Sequence, residues 1–238
     1  MRRILCEQCV IRGRSVVQDI PVAELDAFRT YATSSLYRRR QVVFHEGTQA
    51  TGLYILCHGA VKLYQSDRFG RDHILGVLGS GAVLGEMPTG PAVCYAASAE
   101  ALTDAQLCYL PRDGLSQLIH RYPAFGLRLI EALSTELGNA RRRVRGLALK
   151  SAESRLAEWV LDMAEHTGEP TSNGEMRVPL EYSRREIAEM IGVSTETAIR
   201  LLGRLKQRQA ITTSQGELVV TDGAKLRRLA TQDSIDAA

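Results

Sequence analysis

Ser183-Arg-Arg-Glu-Ile-Ala-Glu-Met-Ile-Gly-Val-Ser-Thr-Glu-Thr-Ala-Ile-Arg-Leu-Leu-Gly-Arg-Leu205 is the stretch on which the reading of this chain turns. Ser183 followed by Glu186 is a capping box: the serine hydroxyl accepts an early helix N–H, and the glutamate reaches back to the serine N–H. Ile187, Ala188 and Ile191 give that helix an apolar face, and Gly192 supplies the left-handed residue that a sharp turn requires. Ser194 caps a second helix, whose inner side is Ala198, Leu201, Leu202 and Leu205. Two short helices around a glycine turn make a helix-turn-helix over about 182–208.

A helical hairpin that touches no nucleic acid has the same parts, so the outer side of the second helix decides between the two. Its first turns carry Thr195, Glu196, Ile199 and Arg200. The N-terminal end of a recognition helix is what reaches base edges. Glutamate accepts from cytosine N4, and arginine clamps guanine O6 and N7. Glu196 and Arg200 share a helix face and can also orient each other. Base contacts are therefore expected from Glu196, Arg200, Thr195 and Ile199. Phosphate contacts are expected from Ser183, Arg184, Arg185, Ser194, Thr197, Arg204 and Lys206, with Arg208 a further candidate. Ala210–Thr221, with Gln215-Gly216 at its tip, reads as a β-hairpin wing.

Upstream, residues 151–166 read as a helix with Leu156, Trp159, Val160 and Met163 on one side. A loop, Gly168–Gly174, leads to a strand over Met176–Leu180. This zone is mostly helical and is expected to end in the hairpin, with a frayed polar tail over Thr231–Ala238. Between 112 and 149 the apolar residues Ile130, Leu133, Leu137, Ala140, Val144 and Leu147 recur at spacings of three and four, which is an a/d seam. Glu131, Glu136, Arg141, Arg142, Arg143 and Arg145 lie off it. A small β domain could hardly cover so long a seam, which favours a helix that pairs with a second copy.

Residues 21–110 break into short apolar pieces: Val42–Phe44, Leu53–Leu56, Val61–Tyr64, Ile74–Leu78 and Leu107–Leu110. Gly47, Gly52, Gly59, Gly70, Gly79, Gly81 and Gly85 punctuate them, as in a β-sandwich or barrel, and Pro21–Tyr31 reads as a short preceding helix. The expected class is α+β: an N-terminal β-roll, a long dimerisation helix and a C-terminal winged helix-turn-helix. The expected segments are 1–20 (cysteine-containing), 21–111 (sensory), 112–149 (dimerisation) and 150–238 (DNA-binding).

Bulk properties agree with a globular protein: 45% of the 238 residues are hydrophobic and 24% charged, enough apolar content for real cores. A net charge of +3 does not by itself indicate nucleic acid, so the argument rests on where the charges lie. No apolar run approaches the roughly 18–20 residues needed to cross a bilayer. Met1–Glu7 lacks a secretory signal's apolar core, so the cytoplasm is expected, with no membrane partner.

The chain resembles the CRP/FNR superfamily of transcription regulators, most of all its FNR-like branch. Residues 183–205 look like that family's DNA-binding signature. Glu46-Gly47, Leu53-Tyr-Ile-Leu56, Gly59-Ala-Val-Lys-Leu63 and Gly81-Ala-Val-Leu-Gly-Glu86 look like its β-roll. The resemblance implies a homodimer joined by the long helix, a palindromic operator in double-stranded DNA, RNA polymerase as a partner, and no enzymatic activity. Glu196 and Arg200 fall on the family's most regular base-reading positions. Thr195 stands where cAMP-type members have arginine, and Ile199 where FNR-type members often have serine.

Cyclic AMP is disfavoured as the signal. The resemblance places Tyr95 and Ala96 where cAMP-binding relatives have an Arg-Ser pair, and no arginine lies between Arg71 and Arg112 to neutralise a phosphate. Cys6-x-x-Cys9 resembles the N-terminal cluster region of FNR-type oxygen sensors, and Cys108 its distant cysteine, but the third N-terminal cysteine is absent. Cys57, Cys94 or Asp19 could substitute. An iron–sulfur cluster on Cys6, Cys9 and Cys108, redox thiols at the same residues, and a cluster-free relative all stay open. Two other function classes stay beside the main one: a sensory module acting through protein contacts, and a cyclic-nucleotide-responsive regulator.

Overall fold

The computed structural model describes residues 15–231 except 22, 23, 25–27, 29, 71, 88–91, 172, 174, 180, 181 and 215. The helix expected over Pro21–Tyr31 falls mostly outside these, although Phe28, Thr30 and Tyr31 are helical. Two compact units form, Met1–Asn139 and Ala140–Ala238.

In the first unit the five expected strands are present, all but Val42–Phe44 longer than expected, and three further strands join them among the described residues. They are β1 (Thr33–Tyr37), β2 (Val42–Phe44), β3 (Gly52–His58), β4 (Val61–Ser66), β5 (Asp72–Leu78), β6 (Val83–Leu84), β7 (Ser98–Ala101) and β8 (Ala105–Pro111). They pair antiparallel in two sheets, ordered β1-β8-β3-β6 and β2-β7-β4-β5. Leu56, Leu84, Ala105 and Leu107 of one sheet and Phe44, Val61, Leu78 and Ala99 of the other bury one shared core. On the opposite face of β3 and β8, Leu53, Ile55, Cys57, Cys108 and Leu110 pack under Val16, Ile20, Leu115, Leu118, Phe125 and Leu129. These two strands are therefore apolar on both faces, which is why they read as continuous runs. The β3–β4 turn requires glycine: Gly59 has φ +91°, and a Cβ there would sit 2.5 Å from the Asp104 carbonyl oxygen.

β7 could not be read from its residues, Ser-Ala-Glu-Ala, which have low strand propensity. It lies inside its sheet between β2 and β4, and Ala99 and Ala101 are small because the shared core leaves no more room. The helical zone from 112 to 149 is two helices, α1 (Arg112–Arg121) and α2 (Pro123–Leu149). A residue before proline is pushed out of the α region. Tyr122 accordingly takes φ −130° and ψ 81°, and Pro123 opens the next helix. Asp19 pairs with Arg128 of α2 at 2.8 Å, so its carboxylate is engaged in an ion pair.

The second unit contains α3 (Ala152–Thr167), β9 (Glu169–Pro170), β10 (Met176–Pro179), α4 (Arg184–Ile191), α5 (Thr195–Gln207), β11 (Ile211–Ser214), β12 (Glu217–Val220) and α6 (Gly223–Thr231). Its sheet runs β11-β12-β10-β9. Leu156, Val160, Val178, Ile187, Ile191, Leu201, Leu205, Ile211, Leu218 and Leu226 form its core. The chain does not end in the hairpin as expected, because α6 follows it. Asp222 announces that helix: its carboxylate accepts from the Lys225 N–H at 2.8 Å, and this bond holds its carboxyl below the usual range. Leu226 and Ala230 supply the buried stripe.

Candidate nucleic-acid interface

The helix-turn-helix forms as its local chemistry dictates. Ser183 Oγ accepts from the Glu186 N–H at 3.2 Å, and Glu186 Oε2 accepts from the Ser183 N–H at 2.6 Å. Gly192 closes α4 at φ 67° and ψ 49°, its N–H donating to the carbonyls of Ala188 and Glu189. Ser194 Oγ then accepts from the Thr197 N–H at 3.3 Å and starts α5. Ser183→Ala removes a cap and takes one partner from the buried Glu186. It is expected to lower unfolding free energy by about 1–2 kcal/mol, with Ser183→Asp restoring most of it. Thermal and urea denaturation of the full chain checks this.

α5 buries Ala198, Leu201, Leu202 and Leu205 and leaves Glu196, Ile199, Arg200, Arg204 and Lys206 exposed, with Thr195 half-buried. Ile199 is 53% exposed on the same face. At the helix N-terminus, Glu196's own N–H and the Ser194 hydroxyl hold its carboxyl below the usual range. Glu196 and Arg200 share a face of α5 but form no ion pair with each other among the described residues. Among the described residues Arg200 is thus tied to no carboxylate.

The basic residues at the start of α4 differ from one another. Arg185 is exposed, and its Nε donates to Glu189 Oε1 at 2.7 Å. Arg184 is half-buried, and its Nη1 has no hydrogen-bond partner among the described residues. Arg208 pairs with Glu153 at 3.2 Å, which fixes the end of α5 to α3. One residue that the sequence reading did not single out helps set this geometry. Arg155 Nε donates to the Ile191 carbonyl and Nη1 to the Lys150 carbonyl, each at 2.8 Å, tying the end of α4 and the residue after α2 to α3. Burial pulls its pKa down from the usual arginine value. Its only sequence signal is an arginine set between the buried Ser154 and Leu156.

In the β-roll, Tyr95 occupies the turn that the resemblance assigned to a phosphate-binding arginine. Its ring is buried and stacks on Phe44 at 4.0 Å, its hydroxyl donates to the Gly52 carbonyl, and it lies 3.1 Å from where a Gly85 Cβ would stand. Glu86 accepts from the Ala96 N–H at 3.0 Å, and burial raises its carboxyl pKa. Cys6 and Cys9 lie outside the described residues. Cys108 is buried on β8 beside Cys57, and Cys94 is exposed. Among the described residues no three metal-ligating side chains converge, so no ligand set is assigned.

On the outer face of α2, Ile130, Leu133, Leu137, Val144 and Leu147 are exposed and Ala140 is half-buried. Among the described residues no helix is long and apolar enough to cross a membrane.

The family described as "Cyclic nucleotide-binding domain" matches residues 35–122, and the "Crp-like helix-turn-helix domain" matches residues 154–229. The chain is 28% identical over 225 residues to the nitrogen fixation regulation protein FixK of Bradyrhizobium diazoefficiens, covering 94% of this chain and 93% of that one. It is 26% identical over 220 residues to the cyclic AMP receptor protein of Thermus thermophilus, covering 92% and 98%. The solved structure of FixK2 from Bradyrhizobium japonicum superposes with a TM-score of 0.73 at 26% identity, over 84% of this chain and 98% of that one. With its β-roll, exposed recognition helix and wing, the chain belongs to the CRP/FNR family and is a DNA-binding transcription regulator.

Proposed function

We propose that the protein is a homodimer that reads a palindromic operator with α5. Glu196 and Arg200 face base edges, Thr195 lies beside them, and Ile199 meets a thymine methyl. The exposed outer face of α5, on a helix whose inner face is locked in a core, carries this reading. Ser183, Arg184, Arg185, Ser194, Thr197, Arg204 and Lys206 are assigned to phosphates, where contacts position the helix without reading sequence. Residues 21–111 take the sensory role, 112–149 the pairing role and 150–238 the DNA-binding role. The exposed apolar seam of α2 supports pairing with a second copy, since an a/d stripe is buried by a facing helix.

A redox, oxygen or small-molecule signal at the β-roll shifts how two α2 helices pair, and so the distance between recognition helices. Half-sites lie about 34 Å apart, so small rotations prevent both helices from docking. RNA polymerase is the further partner, and the cytoplasm the place of action. Selection of the full chain against random duplexes tests the reading. An inverted repeat with half-site centres about one helical turn apart is expected to be enriched. Enrichment of a single unrepeated site, or of no sequence, contradicts it.

A further inference from the structure

Cys57 and Cys108 lie on adjacent strands of the β-roll. Ile55 stands opposite Cys108 and Leu56 opposite Leu107, but the register then shifts so that His58 stands opposite Gln106. Cys57 is the extra residue of a β-bulge. In a regular ladder, Cys57 and Cys108 would be diagonal neighbours about 7–8 Å apart, beyond the usual reach of a disulfide. A bulge bends its strand and re-aims the extra side chain. Here it brings the two sulfurs to 3.2 Å, with the Cys57 thiol donating to Cys108 Sγ. They need close by only about 1 Å more to reach the bond length of ~2.05 Å.

We propose that Cys57 and Cys108 form a reversible intramolecular disulfide when the chain meets a peroxide. Cys57 is 7% exposed and Cys108 4%, and the exposed His58 ends the strand beside Cys57. Cys57 is therefore the thiol a small oxidant reaches first, through local opening at the bulge. Its thiolate attacks one peroxide oxygen, the O–O bond breaks, and water leaves once the released hydroxide takes a proton. The product is Cys57 sulfenic acid. Cys108 thiolate then attacks that sulfur, the S–O bond breaks, and a second water leaves. Two thiols and one hydrogen peroxide thus give one disulfide and two waters.

The pair is placed where closure is felt. Cys57 and Cys108 share a core with Phe125 and Leu129, at the root of α2, and with Val16 and Ile20. Cores are close-packed, so drawing the two sulfurs together shifts what rests on them. The consequence for DNA rests on the proposed reading that α2 relays a β-roll signal; the disulfide itself does not.

The test uses the full chain, reduced under anaerobic conditions and then treated with hydrogen peroxide. After thiol blocking, non-reducing digestion and mass spectrometry should yield a cross-linked peptide pair holding Cys57 and Cys108. It should weigh two hydrogens less than the separate peptides and be cleaved by dithiothreitol. A Cys94→Ser chain should behave identically. Recovery of Cys57 and Cys108 as separate blocked or sulfinic peptides overturns the proposal. So does a bound metal that protects both from blocking before oxidation. With the selected operator, the disulfide form should differ from the reduced form by about tenfold in affinity. An unchanged affinity in a chain that carries the bond overturns the relay through α2. A reduced chain that selects no DNA overturns the operator reading instead, and the peptide map still decides the bond.

Discussion

Leu133→Asp combined with Leu137→Asp is expected to leave both units folded, convert the chain to a monomer and abolish tight operator binding. The two leucines are 42% and 52% exposed in the single chain, so neither unit depends on them for its core. Surface changes of this kind usually move stability by within about 0.5 kcal/mol. In the proposed dimer, four such leucines leave water, each recovering about 1 kcal/mol of what full burial supplies. Losing them costs about 4 kcal/mol, roughly a thousandfold in dimer dissociation constant. Aspartates facing one another across the seam add repulsion. Sedimentation velocity at micromolar protein, with circular dichroism to confirm the fold, makes the measurement. A double variant that sediments as a dimer refutes the assignment of the seam.

Arg200→Ala is expected to reduce operator affinity by about 10²–10⁴-fold while changing affinity for scrambled DNA little. A bidentate arginine–guanine clamp contributes about 1–3 kcal/mol of discrimination, and a symmetric dimer carries two of them. Arg200 is exposed and makes no ion pair among the described residues, so its removal leaves the fold intact and breaks no internal contact. Arg204→Ala, at a phosphate position, should instead weaken both DNAs alike and flatten the salt dependence. Fluorescence anisotropy on selected and scrambled duplexes at two salt concentrations separates the two cases. An Arg200→Ala chain that keeps its full preference for the selected duplex removes this residue from the base-reading set.

The parts of the protein that could be read in advance are those whose cause is local. A serine three residues before a glutamate, a glycine able to take positive φ and a buried stripe at helical spacing act within a few residues. The helix-turn-helix, the strands from β2 to β5 and the exposed apolar stripe of α2 were therefore legible. β7 was not, because its alanines follow from the space left between two sheets. α6 was passed over because its cap at Asp222 is a single residue after a hairpin. The break at Tyr122 was passed over as well, although Pro123 blocks the α region for the residue before it.

Side-chain encounters between distant segments belong to tertiary structure alone. Arg155 reaches the Ile191 carbonyl only because α3 packs beside α4. Glu196 and Arg200 have the right spacing to pair, yet the helix N-terminus engages the carboxylate instead. Cys57 and Cys108 stand far apart in the chain, and it is a one-residue slip in strand register that brings their sulfurs together. Residue spacing along Ser183–Leu205 was enough to specify a capped, turned, outward-facing recognition helix, because hydrogen bonds within a turn need no other part of the chain. What that helix is braced against, and which thiols meet beneath α2, depended on packing and register, which no local run of residues encodes.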